Sequence, residues 1–127
     1  MSDVSTTRRK GGTTVLVVED EFFIADDIRR GLSAAGFRVL GPVASIEPAF
    51  YEMERERPDV ALLDVHVGRA KVSPVAVKLR ELNIPYVLAA ASPAHELAAD
   101  PALAGALNLG KPTDLKRIVE TICSLMV

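Results

Sequence analysis

The sequence predicts an α/β fold in which a doubly wound, five-stranded parallel sheet carries about five helices on its two faces. The first observation behind this prediction is that short apolar runs alternate along the chain with segments whose apolar residues recur at helical spacing. Such alternation is typical of parallel strands joined by right-handed crossover helices. The second is that two of the runs, Val15-Leu16-Val17-Val18 and Val60-Ala61-Leu62-Leu63, stop abruptly at acids. Continuous apolar runs of this length indicate strands that are buried on both faces.

The first half of the chain contains two predicted strands and two predicted helices. A strand over residues 14–18 is followed by a helix over 21–35, which Gly36 ends as a left-handed cap. A short strand over residues 38–40 leads into a second helix capped by Ser45. The apolar residues at helical spacing are Ile24, Ile28, Leu32 and Ala35 in the first helix and Ala49, Phe50 and Met53 in the second.

The second half of the chain completes the predicted sheet with three strands. They cover residues 60–63, 85–89 and, with a weaker pattern, 106–109, and a loop over 64–73 precedes the third helix. Between residues 92 and 105 two prolines limit any helix to a couple of turns. The inward-facing residues are Val75, Leu79 and Leu82 in the third helix and Leu115, Ile118, Val119, Ile122 and Leu125 in the last, which begins near Thr113.

Length and composition indicate one soluble domain. The chain has 127 residues, of which 49% are hydrophobic and 25% charged, and its formal net charge of −2 gives no argument for nucleic acid or an anionic membrane as a partner. No apolar stretch approaches the ~18 residues that a membrane span needs, and the first residues lack the apolar core of a signal peptide. We therefore expect a cytoplasmic protein that binds neither nucleic acid nor membrane.

The predicted domain covers residues 13–127 and follows a tail over 1–12. The tail is rich in Ser, Thr and Gly and contains Arg8-Arg9-Lys10, so it is interpreted as flexible and solvated, with weak anion binding as the alternative. A single cysteine, Cys123, excludes an internal disulfide and is interpreted as a small apolar residue of the last helix.

Three carboxylates stand where the first and third predicted strands end. Glu19 and Asp20 follow the first strand and Asp64 follows the third. If these strands are neighbours, the three acids converge and repel one another, so a proton or a cation must lie among them. An oxygen-only cluster with room for water suits Mg²⁺, which also binds phosphate oxygens. The cluster therefore points to phosphoryl chemistry.

A lysine is predicted to reach the same edge of the sheet. Lys111, followed by Pro112, comes just after the fifth predicted strand, so its ammonium could neutralise a phosphoryl oxygen as a point charge. Each of these residues alone could be an ordinary surface or helix-end residue. Their order and spacing together favour a functional site.

With these motifs the chain resembles a response-regulator receiver domain of bacterial two-component signalling, of the stand-alone, chemotaxis-regulator-like type. The resemblance covers residues 13–125 and is carried by Val17-Val18-Glu19-Asp20-Glu21, Leu62-Leu63-Asp64-Val65 and Gly110-Lys111-Pro112. It implies a flavodoxin-like sheet with the strand order 2-1-3-4-5.

The resemblance also implies roles for the site residues. Asp64 would accept a phosphoryl group from a phosphohistidine on a sensor histidine kinase or a histidine phosphotransfer protein, with Lys111 neutralising charge. Asp20 and Asp64 would bind Mg²⁺ directly, Glu19 through a water, and His66 through its backbone carbonyl, its side chain pointing elsewhere. Beyond its own phosphorylation and dephosphorylation on Asp64, the chain would not be an enzyme.

The chain departs from the family pattern at two positions. Counting from Pro85 places Ala90 where family members usually carry the Thr or Ser that binds the phosphoryl group, and a methyl group cannot donate that hydrogen bond. Asn108 stands where an aromatic residue often changes rotamer in the switch. Ser92 could supply a hydroxyl if the loop shifts its register, although Pro93 stiffens that turn.

These departures leave several functions open. The domain could signal through another face, such as residues 93–107, act as a phosphate shuttle, or serve as a phosphorylation-independent interaction module. The complete set of charged residues favours a phosphoacceptor acting on a downstream effector protein, with a homodimer through the fourth and fifth helices as a further expectation. A phosphatase-like enzyme using Asp64 is disfavoured, since only His66 could serve as its second acid or base. A nucleotide-binding domain is disfavoured too, because no Gly-rich loop follows the first strand.

Overall fold

A computed structural model describes residues 12–126, which form an α/β domain. The predicted tail over 1–12 therefore lies outside the described residues except for Gly12. Within the described range the strands are β1 (Thr14–Val18), β2 (Arg38–Val43), β3 (Val60–Leu63), β4 (His66–Val67), β5 (Ala70–Lys71) and β6 (Tyr86–Leu88). The helices are α1 (Phe22–Ala34), α2 (Ile46–Arg55), α3 (Ser73–Glu81), α4 (Ala94–Ala98) and α5 (Leu115–Leu125).

The main sheet is parallel, with the strand order β2-β1-β3-β6. The α/β prediction is thus confirmed, and the order of these four strands agrees with the first four positions of 2-1-3-4-5. The predicted fifth strand over 106–109 is reduced to a single parallel bridge between Asn108 and Leu88. Leu88 donates a 2.8 Å hydrogen bond to the carbonyl of Leu107 and accepts another of 2.8 Å from the N–H of Leu109.

Helices cover both faces of the sheet, and the alternation of β1 side chains explains how. Leu16 and Val18 pack in one hydrophobic core with residues of α2, α3 and α4, whereas Val15 and Val17 pack in a second core with α1 and α5. Successive strand side chains point to opposite faces, so a strand whose five residues are all buried serves two cores at once. This is the physical basis of the continuous apolar runs in the sequence.

Several local predictions need correction. The predicted loop over 64–73 contains the antiparallel hairpin β4–β5, which is too short to leave a strand pattern in the sequence. Leu125, predicted to face inward, is 40% exposed because it lies in the last turn of α5, beyond the buried Ile118 and Ile122. Cys123 is exposed as well.

The predicted caps have mixed outcomes. Gly36 has a φ of 96°, as expected of a left-handed cap. Ser45 occupies the N-cap position of α2, but its side chain makes no capping hydrogen bond. Helix α5 begins two residues after the predicted Thr113, because Asp114 caps it by accepting a hydrogen bond from the N–H of Lys116. None of the helices within residues 12–126 has the length and apolar character that a membrane crossing requires.

Candidate functional site

The three predicted acids meet where β1 and β3 end. Val18 and Leu63 are paired in the register of these neighbouring parallel strands, so the residues that follow them lie side by side. The N–H of Asp64 continues the ladder with a 2.9 Å hydrogen bond to the carbonyl of Val18. Ligand oxygens of Glu19, Asp20 and Asp64 lie within 4.8 Å of one another. The strand register thus brings together the cluster that the sequence suggested.

Lys111 reaches this cluster from the loop before α5. Its Nζ lies 2.7 Å from Asp64 Oδ2 and 3.1 Å from Glu19 Oε2, and donates a hydrogen bond to each. A third carboxylate, Glu21, is 2.9 Å from the same nitrogen. No role of its own was predicted for Glu21 from the sequence, although its place directly after Glu19-Asp20 could have suggested one.

Burial controls the electrostatics of the cluster. Glu19 and Asp64 are only 4% and 8% exposed. Burial raises the pKa of Glu19, against the opposing effects of the backbone N–H of Glu21 and the ammonium of Lys111. Burial alone would lower the pKa of Lys111, but its contacts with Asp64, Glu21 and Glu19 outweigh that effect and raise it. The lysine is therefore firmly protonated and compensates the buried acids.

The acids also have backbone partners that fix their orientation. Asp20, which is exposed, accepts a 2.9 Å hydrogen bond at Oδ2 from the N–H of Gly68 in the β4–β5 turn. Asp64 accepts a 2.8 Å hydrogen bond at Oδ1 from the N–H of Val65. Mg²⁺ prefers carboxylate oxygens as ligands, and these three acids, of which Asp20 is exposed, bring such oxygens together, so the set fits a magnesium ion.

The site opens into a cleft between the β4–β5 hairpin and α4. Asp20, Glu21, Asp64 and Lys111 line one part of it, and His66, Ser92 and Glu96 line another. The imidazole of His66 pairs with Glu96 at 3.1 Å rather than with the acid cluster. Ser92 lines the wall of this cleft.

Asn108 holds the segment that follows β6. Its Oδ1 accepts hydrogen bonds of 3.0 Å from the N–H groups of Ala90 and Gly110, and its Nδ2 donates one of 3.2 Å to the carbonyl of Ala90. The side-chain amide thus acts as a strand backbone would and continues the ladder after the single bridge at Leu88. Ala90 is 2% exposed. The absence of an aromatic residue at position 108 is visible in the sequence, whereas the hydrogen bonds of the Asn108 amide are seen only in the structure.

Comparisons with known proteins agree with this architecture. A CheY-like response-regulator receiver domain protein from Methanospirillum hungatei has a TM-score of 0.80 at 20% identity, over 90% of this chain and 93% of that one. Chemotaxis protein CheY4 of Vibrio cholerae has a TM-score of 0.75 at 20% identity, over 91% and 98% of the two chains. The chain therefore has the fold of CheY-like response-regulator receiver domains.

A sequence comparison finds similarity to a sensory transduction protein. The sensory transduction protein LytT of Bacillus anthracis is 27% identical over 110 residues, which cover 85% of this chain and 45% of that protein. The chain thus spans less than half the length of the curated relatives it matches. No protein-family model matches the chain.

Proposed function

We propose that this chain is a phosphoacceptor receiver of a two-component or phosphorelay pathway, with Asp64 as the acceptor. One observation supports this most directly. A buried carboxylate and a lysine lie 2.7 Å apart among further acids, at a cleft open to a donor. The partners would be a sensor histidine kinase or a histidine phosphotransfer protein, and an effector protein downstream. The setting would be the cytoplasm.

The proposed reaction is a single phosphoryl transfer. A carboxylate oxygen of Asp64 attacks the phosphorus of a phosphohistidine, a new O–P bond forms, and the N–P bond breaks. The imidazole leaves with the electron pair and takes a proton from solvent. Lys111 offsets the repulsion between the carboxylate and the anionic phosphoryl group, and the backbone N–H of Val65, which donates to Asp64 Oδ1, orients the attacking carboxylate. Water later hydrolyses the acyl phosphate.

The acids of the site would hold Mg²⁺. Asp20 and Asp64 would be direct ligands, Glu19 would act through a water, and the backbone carbonyl of His66 would complete the protein's share. When bound, the ion would neutralise charge on the phosphoryl oxygens. Asp20 is suited to this role because it is exposed and has one oxygen beyond the one held by Gly68.

Incubation with acetyl phosphate and Mg²⁺ should add one phosphoryl group to the chain, seen by intact mass spectrometry. The addition should be lost in Asp64→Ala and kept in Asp26→Ala, which removes a partly exposed acid of α1 that pairs with Arg29. Labelling that persists in Asp64→Ala, or fails in the unaltered chain with both acetyl phosphate and a phosphorylated histidine phosphotransfer protein, would contradict the proposal.

Mg²⁺ should stabilise the folded chain. At a free concentration about tenfold above Kd, the free energy of unfolding should rise by about 1.4 kcal/mol, because the unfolded chain does not hold the three acids together. Urea denaturation with and without Mg²⁺ measures the change, and EDTA should reverse it. Asp20→Asn should weaken the response, whereas Asp27→Asn on α1 should leave it intact. An equal response in Asp20→Asn would argue against Asp20 as a ligand.

The output of this receiver would differ from the usual switch. Ala90 offers no hydroxyl, and Asn108 already binds both the N–H and the carbonyl of that residue. This clamp also favours a second candidate function, a phosphorylation-independent interaction module. Amide chemical shifts of the chain with and without phosphorylation distinguish the two. Chemical-shift changes that extend from Asp64 to α4 on phosphorylation would indicate a working switch. A chain that accepts no phosphoryl group would instead support the phosphorylation-independent interaction module.

A further inference from the structure

The ammonium of Lys111 is shared among three carboxylates that are held very differently. Glu19 and Asp64 are buried, and each also accepts a backbone hydrogen bond, from Glu21 and Val65 respectively. The side chain of Glu21 is 60% exposed. Two of the partners of Lys111 are therefore fixed by the fold, and the third is held at the surface.

The position of Glu21 places it in the path of an incoming group. Glu21, Asp64 and Lys111 line the same cleft, whereas Glu19 lines an adjoining cavity between α1 and α5, which Lys111 also borders. The Glu21 carboxylate lies 2.9 Å from Lys111 Nζ. A phosphoryl group that reaches Asp64 through the cleft needs the same ammonium, so it meets the Glu21 carboxylate there. Two anions cannot share that place without repulsion.

We propose that Glu21 is a displaceable counter-ion of Lys111, which holds the ammonium before phosphorylation and gives it up to a phosphoryl oxygen. This inference rests on the proposed function of Asp64. The exposed side chain of Glu21 can turn into solvent, while its backbone N–H stays bound to Glu19. Glu21 is a positioning residue in this account: it controls the availability of Lys111 and takes no part in bond making.

Removal of this contact should speed phosphorylation. In Glu21→Gln the initial rate of phosphoryl addition from acetyl phosphate with Mg²⁺ should rise about 2- to 5-fold, the range expected from an exposed ion pair. Glu21→Asp keeps the charge but shortens the side chain by one methylene, so its rate should rise as well. Glu21 occupies the N-cap position of α1 without a side-chain capping bond, so neither variant removes one.

Glu96→Gln is the matched control. It removes a negative charge from the same cleft, but its partner is His66 and not Lys111. The displacement of Glu21 from Lys111 is supported if phosphoryl addition is faster in both Glu21→Gln and Glu21→Asp than in Glu96→Gln. A general charge effect would instead raise the rate equally in Glu21→Gln and Glu96→Gln and leave Glu21→Asp unchanged, which would overturn the inference.

The same experiment separates this inference from the proposed function. Labelling of Asp64 in the unaltered chain, with no faster labelling in either Glu21 variant, overturns the counter-ion role and leaves the phosphoacceptor function standing. Absence of labelling at Asp64 in every form overturns both. Urea denaturation of each variant establishes that the compared chains are equally folded.

Discussion

Replacement of Lys111 by methionine should lower the free energy of unfolding at neutral pH by about 3 kcal/mol, because it leaves two buried carboxylates without their cation. Methionine keeps much of the aliphatic stem, so the change falls mainly on charge. The side chain of Lys111 is 15% exposed, and Glu19 and Asp64 beside it are less so. Phosphoryl transfer to Asp64 should also slow by about 100-fold, since a positioned charge at the reacting group is lost.

The pH dependence of the Lys111→Met variant identifies the cause. Burial already raises the pKa of Glu19, and loss of the ammonium should raise it further. At pH values between the lower pKa of Glu19 in the unfolded chain and its raised pKa in the folded chain, Glu19 is protonated in the folded chain and ionised in the unfolded chain. Stability lost at neutral pH should therefore return as the pH falls through the pKa of the folded state. Urea denaturation at a series of pH values measures this recovery.

Lys71→Met is the control for loss of a lysine charge. Lys71 pairs with Asp100 at 3.4 Å and its side chain is 36% exposed, so the loss should stay under about 1 kcal/mol. A loss in Lys111→Met that does not change with pH would assign the effect to packing and contradict the electrostatic account.

Replacement of Asn108 by alanine should lower the free energy of unfolding by about 2–3 kcal/mol. The change deletes three hydrogen bonds and leaves the N–H of the buried Ala90 without its partner. Asn108→Asp keeps an acceptor for the N–H groups but repels the carbonyl of Ala90, so it should be destabilised at neutral pH as well, though by less. Urea denaturation gives both values.

Hydrogen exchange localises the effect of the Asn108 variants. The Ala90 amide should lose protection in Asn108→Ala well before the amides of β1, because its only described partner is the Asn108 side chain, whereas β1 lies between two strands. Uniform loss of protection across the sheet would show instead that Asn108 supports the whole fold and not one segment.

The acid cluster could be predicted from the sequence, whereas the contacts of Asn108 and Glu21 could not. Acids that follow Val18 and Leu63 are visible in the sequence, and once the two strands are adjacent and parallel their convergence is unavoidable. The hydrogen bonds of Asn108 could not be predicted, because they depend on the loop conformations on both sides of an incomplete fifth strand. The contact between Glu21 and Lys111 likewise depends on a rotamer at an exposed position, which no sequence pattern specifies.

The predicted fifth strand is a second feature that the sequence alone does not decide. Residues 106–109 contain a short apolar pattern that predicts a strand, but only Asn108 forms a bridge. A polar residue at that point offers its side chain as an alternative to the backbone ladder. Strand formation and side-chain hydrogen bonding therefore compete at this position, and only three-dimensional context decides between them.

The alternating side chains of β1 place a constraint on any attempt to re-engineer this domain. A slip of one residue in the pairing of β1 would exchange Val15 and Val17 with Leu16 and Val18 between the two cores. The same slip would carry Glu19 about 3.3 Å along the strand, away from Lys111. The pairing register of β1 thus determines both the packing of the two cores and the position of Glu19. A redesign of β1 that changes one also changes the other.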